Sequence, residues 1–150
     1  NTWFRQSPIR VEGRRRRDKA IEILDFLGLT HLGEEAGGNL SGGQMKLLEL
    51  GRALMSDPKM ILLDEPGAGI NPTLLGEIVE RIAELNKRGI TFLIIEHNMD
   101  MVMTLCHPIV VMAGGKLLME GSAGEVQTDP RVMEAFLGGG VDDEADAADG

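Results

Sequence analysis

Acidic side chains and a histidine follow two short apolar runs of the sequence, at the point where each run stops. Asp64 and Glu65 come directly after "MILL", and Glu96 and His97 come directly after "ITFLII". If both runs are neighbouring strands of a parallel sheet, their carboxyl ends meet at one edge, where ligands of such sheets bind. This edge suits phosphate hydrolysis, with one carboxylate for Mg²⁺, a second to orient water and a donor for the γ-phosphate. Simple solvation of the acids is the alternative that the pattern leaves open.

The stretch "LSGGQ", residues 40–44, has the residue types of an anion-binding turn. Ser41 can cap the helix that follows it, and Gly42 and Gly43 leave backbone N–H groups unobstructed. The N-terminus of a helix attracts anions, and glycines let a phosphate approach closely. An ordinary capped helix after a glycine turn is the alternative. The 150 residues do not contain the G-x-x-x-x-G-K-[ST] loop that normally holds the phosphates of a nucleotide.

Periodicity and turn residues predict the helices and strands that would position these groups. Helices are predicted over Asp18–Leu27 with Gly28 as the stop, over Ser41 to about Ser56, from Asn71–Pro72 to a Gly89 cap, over about Met99–Leu105, and around Arg131–Leu137. Buried parallel strands are predicted over Met60–Leu63 and Ile90–His97, and a β-hairpin over "PIVVM" and "KLLMEG" on either side of "AGG". Strand, helix and strand in this order imply an α/β fold with a parallel sheet and right-handed crossovers.

Composition fits one globular domain in a reducing compartment. Of the 150 residues, 43% are hydrophobic, which is enough to bury a core. The single cysteine, Cys106, cannot form an intramolecular disulfide, and no further ligands are spaced for zinc around Cys106 and His107. No apolar run reaches the roughly 18 residues of a membrane span. The chain begins at Asn1 rather than a methionine, so we expect a fragment or a processed product.

The net charge of −9 is unevenly distributed along the chain. Residues 141–150, "VDDEADAADG", hold five acids and no base, and they are predicted to be a disordered tail because they cannot bury enough apolar surface. The run Arg14–Arg17 is interpreted as a solvated basic start to the next helix, with contact to anionic lipid or nucleic acid as the alternative. The acidic balance of the whole chain argues against a nucleic-acid partner.

Together the motifs resemble those of ATP-binding cassette (ABC) ATPases. "LSGGQ" is similar to the signature motif of that family, "MILLDEP" to its Walker B strand, "PGAGINP" to its D-loop, and "IIEHNMD" to the segment of its switch histidine. Within the family, "EPGAGINP", "IIEHNMDMVM" and "GSAGEVQTDPRVMEAFLG" are most similar to the ATPases of branched-chain amino acid importers. The resemblance implies a partial P-loop NTPase fold, with parallel core strands, flanking helices and a C-terminal β-hairpin. Residues 1–140 would be the C-terminal portion of one ABC ATPase domain, with about 14–57 in the helical subdomain and 58–140 in the core.

The resemblance also implies roles for individual residues, because cassettes of this family pair head to tail around ATP. Asp64 would hold the Mg²⁺ of this chain's own site, Glu65 would polarise the attacking water, and His97 would sense the γ-phosphate, the last two as catalytic residues. The signature match would contact the ATP held by a partner subunit and comprises Ser41, Gly42, Gly43 and Gln44. Of these, Gln44 would support the loop rather than the chemistry. The D-loop match would communicate across the dimer and comprises Gly67, Ala68, Gly69, Ile70 and Asn71.

The implied cofactors are ATP and Mg²⁺. The implied partners are a second cassette, identical or different, transmembrane permease subunits and, indirectly, a substrate-binding protein, at the inner face of the cell membrane. No nucleic acid is expected. In the family, the signature motif is preceded by the Walker A loop, the adenine-stacking aromatic residue and the Q-loop, and these are missing from the 150 residues. In addition, Asn71 stands where many members have aspartate. We therefore expect this chain alone to be inactive and the full protein to hydrolyse ATP.

Two other functions stay open at this point. One is a soluble ABC-type ATPase that acts on chromosomes or ribosomes, although the coiled-coil insertion or basic linker of such proteins does not occur in this sequence. The other is a non-catalytic interaction module that lends its signature motif to a complete partner. A Walker A loop upstream in the gene would argue against the module. Because neighbouring strands of the family fold are missing from the sequence, an exposed sheet edge is also expected.

Overall fold

The computed structural model describes residues 8–138, which form two compact units, one ending at Glu96 and the other beginning at His97. The helices of the described residues are α1 (Pro8–Phe26), α2 (Gly42–Leu54), α3 (Pro72–Lys87), α4 (Met99–Leu105), α5 (Ala123–Thr128) and α6 (Pro130–Gly138). The strands are β1 (Met60–Asp64), β2 (Thr91–Ile95), β3 (Ile109–Ala113) and β4 (Lys116–Gly121), and short 3₁₀ turns occur at Thr30–Leu32 and Gly37–Asn39. The predicted subdivision near residue 57 stays a prediction.

Local signals set the ends of the helices in the first unit, as the sequence predicts. The side-chain oxygen of Asn71 accepts a hydrogen bond from the backbone N–H of Leu74 at 3.0 Å, and Pro72 is the first residue of α3. Gly28 and Gly89 follow α1 and α3 with φ angles of 72° and 98°. This left-handed conformation lets the chain turn back and satisfy the last carbonyl groups of each helix, and it favours glycine.

Helix α1 is longer than predicted, because it begins at Pro8 rather than near Asp18. Its first half has few apolar residues, so it shows no helical period in the sequence, although arginine is a good helix former. Arg14–Arg17 are exposed within this helix, and Arg16 Nε forms an ion pair with Glu12 at 3.0 Å. This exposure agrees with the solvated interpretation of the basic run. The predicted acidic tail, residues 141–150, lies outside the described residues.

Strands β1 and β2 pair in parallel, as predicted, with Leu62 opposite Leu93 and Asp64 opposite Ile95. The core of the first unit consists of aliphatic side chains from α2, α3 and β1 and from the turn that follows α1. Its buried members are Leu27, Leu29, Leu47, Leu50, Leu54, Ile61, Ile78, Ile82 and Leu85. The ring of Phe26, at the end of α1, lies against the guanidinium groups of two arginines, one in the second half of α3 and one at its C-cap. The distances from guanidinium carbon to ring centroid are 5.3 Å for Arg81 and 4.5 Å for Arg88.

The prediction that both strands are buried is wrong for one face of this sheet. Leu62 is 69% exposed and Ile95 is 62% exposed, and Met60 and Leu93 share this exposed apolar face. Apolar residues on both faces are typical of a strand covered by helices on both sides, but the described residues of the first unit cover only one side. Within the same residues neither strand has a second strand partner, which matches the expected exposed edge.

The second unit contains the predicted β-hairpin of β3 and β4. Gly114 and Gly115 form its two-residue turn with φ angles of 56° and 73°, a conformation that suits the twist of antiparallel strands. The core of this unit combines side chains of the hairpin and the last two helices, Ile109, Val111, Val126 and Val132. No helix among residues 8–138 combines the length and the apolar character needed to cross a bilayer.

Helix α5 is missing from the sequence prediction. A capping box begins it, because Ser122 N–H donates to Glu125 Oε2 at 2.7 Å and Ser122 Oγ accepts from Glu125 N–H at 3.5 Å. The backbone hydrogen bond from Ser122 lowers the pKa of Glu125 below its ordinary value. A helix of six residues is too short to show a hydrophobic period, so the Ser122-x-x-Glu125 pattern is the signal that could have found it.

Asp129 precedes α6 and binds the side chain and backbone of Arg131. Asp129 Oδ1 accepts hydrogen bonds from Arg131 N–H at 2.8 Å and Nε at 3.1 Å, and Oδ2 accepts one from Nη2 at 2.7 Å. The side-chain hydrogen bond from Arg131 is the largest cause of a pKa of about 2 for Asp129, compared with the ordinary 3.8. The lowered pKa means that Asp129 contributes stability that is present above pH 3.8 and is lost as the pH falls toward 2.

We expect the side-chain carboxyl resonance of Asp129 to titrate with a midpoint near pH 2 in an NMR experiment. Replacing Arg131 by methionine removes the largest cause of the shift and should move the midpoint back toward the ordinary value. The expected change in total stability is small because both groups are in contact with solvent. A midpoint that is the same with and without the Arg131 guanidinium would contradict this assignment.

Candidate functional site

The predicted anion-binding turn lies at the N-terminus of α2, where Ser41 is the cap residue. Ser41 Oγ accepts a hydrogen bond from the backbone N–H of Gln44 at 3.3 Å, and Gln44 Oε1 accepts one from Ser41 N–H at 2.9 Å. This reciprocal pair is a capping box, which satisfies two backbone groups at the start of the helix. The capping box fixes the turn and occupies the side chain of Gln44. The predicted contact of the turn with a nucleotide stays a prediction.

The two glycines of this turn have different surroundings. Gly42 is exposed, and a Cβ added there would meet no heavy atom within 4 Å. Gly43 is buried against Leu74 in the first turn of α3, and an added Cβ would lie 1.5 Å from Leu74 Cδ2 and 2.7 Å from Leu74 Cγ. The sequence analysis assigns both glycines to phosphate approach. In the structure Gly43 also lets α2 and α3 pack closely, which only a residue without a side chain can do.

Asp64 and Glu65 lie at the end of β1, and both side chains are exposed. Glu65 has a φ of 45°, an unusual backbone conformation for a residue with a side chain, and such strain clusters at functional sites. Its N–H donates to the carbonyl of Ile95 at 2.9 Å. Its own carbonyl accepts hydrogen bonds from Lys46 Nζ at 3.0 Å and from Ala68 N–H at 3.1 Å. The backbone of Glu65 is therefore held from both sides.

Glu96 follows β2 and lies at the same end of the strand pair as Asp64 and Glu65, because Asp64 is opposite Ile95. Glu96 Oε1 accepts a hydrogen bond from the backbone N–H of Gly67 at 2.7 Å. A Cβ added at Gly67 would come within 2.7 Å of the same oxygen, so the glycine makes room for the carboxylate. The structure thus brings the acids of the first unit together, and it uses Glu96 to hold the turn after β1.

The predicted D-loop connects this turn to α3. Ala68 is exposed, Ile70 is half-buried, and Gly69 has a φ of 72°, which favours glycine. Asn71 ends the segment as the cap residue of α3, with its side chain bonded to the N–H of Leu74. The role predicted for this segment, communication between subunits, stays a prediction.

The N-termini of α2 and α3 open onto one groove with a volume of about 750 Å³. Ser41 and Gln44 from the first turn and Asn71 and Thr73 from the second line it. Residues from the predicted signature and D-loop therefore share one surface, although about thirty residues separate them in the sequence. The partial positive charge at a helix N-terminus favours anions. The groove is also lined by one base, Arg81, and by one acid, Glu77, whose charges have opposite effects on an anion.

Comparisons with known proteins agree with the motifs. The ABC transporter family model matches residues 2–68, and the branched-chain amino acid ATP-binding cassette transporter model matches residues 116–142. Two probable branched-chain amino acid transport ATP-binding proteins, both called LivG, are similar to this chain. The one from Archaeoglobus fulgidus is 47% identical over 121 residues, and the one from Methanocaldococcus jannaschii is 49% identical over 125 residues. The chain belongs to the ATP-binding cassette family.

A solved structure of a cassette shares the fold. The crystal structure of the ADP conformation of an ATP-binding cassette of an ABC transporter has a TM-score of 0.77 and 43% identity, covering 92% of this chain and 54% of that chain. The alignments with the two LivG relatives cover 81% of this chain and 47% and 49% of the relatives. The chain thus spans about half the length of the curated relatives that it matches. Its fold is part of the ABC cassette fold.

The predicted histidine and the predicted metal ligand both have exposed side chains. His97 is the first residue of the second unit and is exposed, and its predicted place beside Asp64 and Glu65 stays a prediction. Within residues 8–138 no group of three or more His, Cys, Asp or Glu residues could hold a metal ion. The exposed carboxylate of Asp64 nevertheless suits Mg²⁺, which binds one or two carboxylates together with nucleotide phosphates and keeps several waters. Burial raises the pKa of the Cys106 thiol, which disfavours the thiolate form that binds metals.

Sequence reasoning missed two residues of the cassette that contact the predicted site. Leu74 packs on Gly43, and Lys46 binds the carbonyl of Glu65. Both contacts join α2 to a distant part of the chain. The residues next to Leu74 and Lys46 in the sequence do not indicate either contact. Lys46 lies two residues after Gln44, whereas its partner Glu65 is 19 residues further along the chain, so the sequence does not reveal the contact.

Proposed function

We propose that the chain is part of the ATP-binding subunit of an ABC transporter and that the complete protein hydrolyses ATP to drive import of branched-chain amino acids. The groove that Ser41 and Asn71 share carries this proposal, because it presents two helix N-termini at one surface where a phosphate can bind. The substrate class is supported by the LivG relatives, whose names give branched-chain amino acid transport, and by the family model at residues 116–142.

In this proposal the N-terminus of α2 binds the γ-phosphate of an ATP molecule that a partner cassette holds. Ser41, Gly42 and Gly43 offer a hydroxyl group and backbone N–H groups, and the capping box with Gln44 keeps the turn in place. Gly42 is the open position, because no atom lies within 4 Å of where its Cβ would be. A phosphate oxygen can approach the backbone there without meeting a side chain.

The residues after β1 act at the ATP of the chain's own cassette. Asp64 would hold Mg²⁺, and a bound Mg²⁺ would supply charge that neutralises the phosphates. The carboxylate of Glu65 orients the attacking water and takes its proton, and the strained backbone of Glu65 is held by Ile95, Lys46 and Ala68 while it does so. His97 donates a hydrogen bond to the γ-phosphate. The D-loop residues, Gly67 to Asn71, relay contacts between the two cassettes of the dimer.

The proposed partners follow from the family. A second cassette, identical or different, completes each ATP site, transmembrane permease subunits carry the solute, and a substrate-binding protein delivers it. The complete protein would lie at the inner face of the cell membrane. Within it, residues 14–57 would belong to the helical subdomain and residues 58–140 to the core.

Measuring ATP turnover by the complete protein and by the purified 150-residue chain tests this function. We expect turnover by the complete protein and none above background by the chain, whose sequence lacks the loop and lysine that hold the β- and γ-phosphates. The complete protein, reconstituted with its permease subunits in vesicles, should take up leucine in an ATP-dependent manner. Turnover by the 150-residue chain that disappears on Glu65→Gln would show that the chain needs no further phosphate loop. Uptake of an unrelated solute in place of leucine would overturn the substrate class.

A further inference from the structure

Lys46 links the helix of the predicted signature motif to the backbone of the predicted catalytic glutamate. Its Nζ donates a hydrogen bond to the carbonyl oxygen of Glu65 at 3.0 Å, across 19 residues of sequence. Lys46 lies in α2, whose first turn contains Gly42 and Gly43. The side chain is half-buried and, together with Asp64, lines an apolar groove of about 260 Å³.

The ammonium of Lys46 binds a backbone carbonyl, as the ammonium of Lys19 does at Met55 with a distance of 3.0 Å. Lys19 also forms an ion pair with the carboxylate of Asp57. Within the described residues Lys46 forms no such ion pair, and its hydrogen bond is to a backbone carbonyl. A hydrogen bond from a charged donor is stronger than one between neutral groups. The contact is therefore made to the main chain of Glu65, and it can influence the position of that residue.

The main chain of Glu65 needs such support. Its φ of 45° is disfavoured for a residue with a side chain, and surrounding contacts must hold it there. The N–H is bound to Ile95 in β2, and the carbonyl is bound to Ala68 and Lys46. The bond to Ala68 stays within the turn that contains Glu65, whereas the bond to Lys46 comes from another element.

The first turns of α2 and α3 meet at Gly43 and Leu74, which holds the beginning of the helix that carries Lys46. Leu74 lies directly against the backbone of Gly43. A Cβ added at Gly43 would be only 1.5 Å from Leu74 Cδ2. The first turn of α2 is fixed by its capping box, and Lys46 follows two residues after Gln44 on the same helix. The ammonium is thus carried by a helix that is anchored at its beginning.

We propose that Lys46 is a positioning residue for Glu65. Through its hydrogen bond to the Glu65 carbonyl, it keeps the carboxylate of Glu65 in the orientation needed to bind and deprotonate the attacking water. Lys46 itself touches neither the water nor the phosphate. The inference rests on the proposed function, because it needs Glu65 to be the base. It adds that the helix of the signature motif holds the base of the same chain.

The experiment compares variants of the complete protein. Lys46→Met keeps the length and apolar stem of the side chain but removes the donor, and Lys46→Arg keeps a charged donor. Lys59→Met is the matched control, since Lys59 is exposed and its side chain makes no hydrogen bond or ion pair within the described residues. We expect Lys46→Met to lower kcat for ATP by roughly 10- to 100-fold, because small misplacements of a catalytic group have effects of this size.

The pattern across the variants separates positioning from stability. For Lys46→Met we expect a KM for ATP within about twofold of wild type, since ground-state binding does not change. The thermal midpoint should change by at most about 4 °C, the shift that about 1 kcal/mol of lost stability produces in a domain of this size. Lys46→Arg should recover most of kcat, and Lys59→Met should match wild type. A loss of kcat in Lys46→Met that only follows a loss of folded protein would overturn the inference.

Glu65→Gln, measured beside these variants, distinguishes this inference from the proposed function. Wild-type kcat in Lys46→Met, together with a large loss in Glu65→Gln, would overturn the role of Lys46 and leave the proposed function in place. Wild-type kcat in Glu65→Gln would overturn the assignment of the base, and the role of Lys46 with it. A loss in both variants, with recovery in Lys46→Arg, is the result that we expect.

Discussion

Replacing Glu65 by glutamine in the complete protein is expected to lower kcat for ATP hydrolysis by roughly 10²- to 10⁴-fold, the usual contribution of a general base. Glutamine has nearly the same shape, but its amide cannot take a proton from the attacking water. The backbone of residue 65 should keep its place, because Ile95, Lys46 and Ala68 bind its main-chain groups rather than its carboxylate. Nucleotide binding, measured directly with labelled ATP, should therefore change little while turnover is lost.

The control for this prediction is Glu80→Gln, which makes the same change of charge at an exposed position of α3. Its kcat should match wild type. If Glu65→Gln lost ATP binding and turnover together, the carboxylate would contribute to holding the nucleotide rather than to the chemical step. If turnover stayed at the wild-type level, the base would be another group, and Glu96 is a candidate because it lies at the same end of the strand pair.

The sequence predicts much of the fold where the signals are local. Asn71 and Pro72 start α3 and Gly89 ends it, because capping, fixed φ and positive φ are properties of single residues and their neighbours. The hairpin turn at Gly114 and Gly115 was predicted for the same reason. The first half of α1 has no apolar period and α5 is only six residues long, so neither gives a periodic signal.

Burial is less predictable because it depends on which segment covers a face. The runs "MILL" and "ITFLII" correctly predict parallel strands, but the exposed face of Leu62, Leu93 and Ile95 shows that apolar residues alone do not establish a cover. An apolar strand has the composition of a strand that is buried on both faces. Whether both faces are buried depends on other segments that pack on them. The pattern therefore predicts the strand and its pairing, and leaves its environment undetermined.

The candidate site shows the same division between local and distant information. The capping box of Ser41 and Gln44 follows from four consecutive residues, and the order of acids after β1 and β2 predicts that they meet at one edge. The contacts of Lys46 with Glu65 and of Gly43 with Leu74 join residues that are far apart in the sequence. They depend on how α2 lies against its neighbours, which no local pattern specifies.

Replacing Gly43 by alanine in the complete protein is expected to destabilise it by about 1–3 kcal/mol, the usual cost of forcing atoms into a closely packed region. The added Cβ would lie 1.5 Å from Leu74 Cδ2, so either the side chain of Leu74 or the first turn of α2 must move. Unfolding in urea measures the change in free energy. We also expect ATP turnover to fall when the first turn of α2 moves. Ser41 and the backbone N–H groups that would bind phosphate belong to this turn.

Gly42→Ala is the matched control, because the same methyl group one residue earlier meets no heavy atom within 4 Å. Its stability should stay within about 0.5 kcal/mol of wild type, as for other exposed positions. Shortening Leu74 to alanine in the Gly43→Ala protein makes room for the new methyl group, so the double variant should be more stable than the sum of the single changes predicts. We expect an interaction energy of about 1–2 kcal/mol from this double-mutant cycle. Additive effects would mean that the cost of Gly43→Ala does not come from the contact with Leu74.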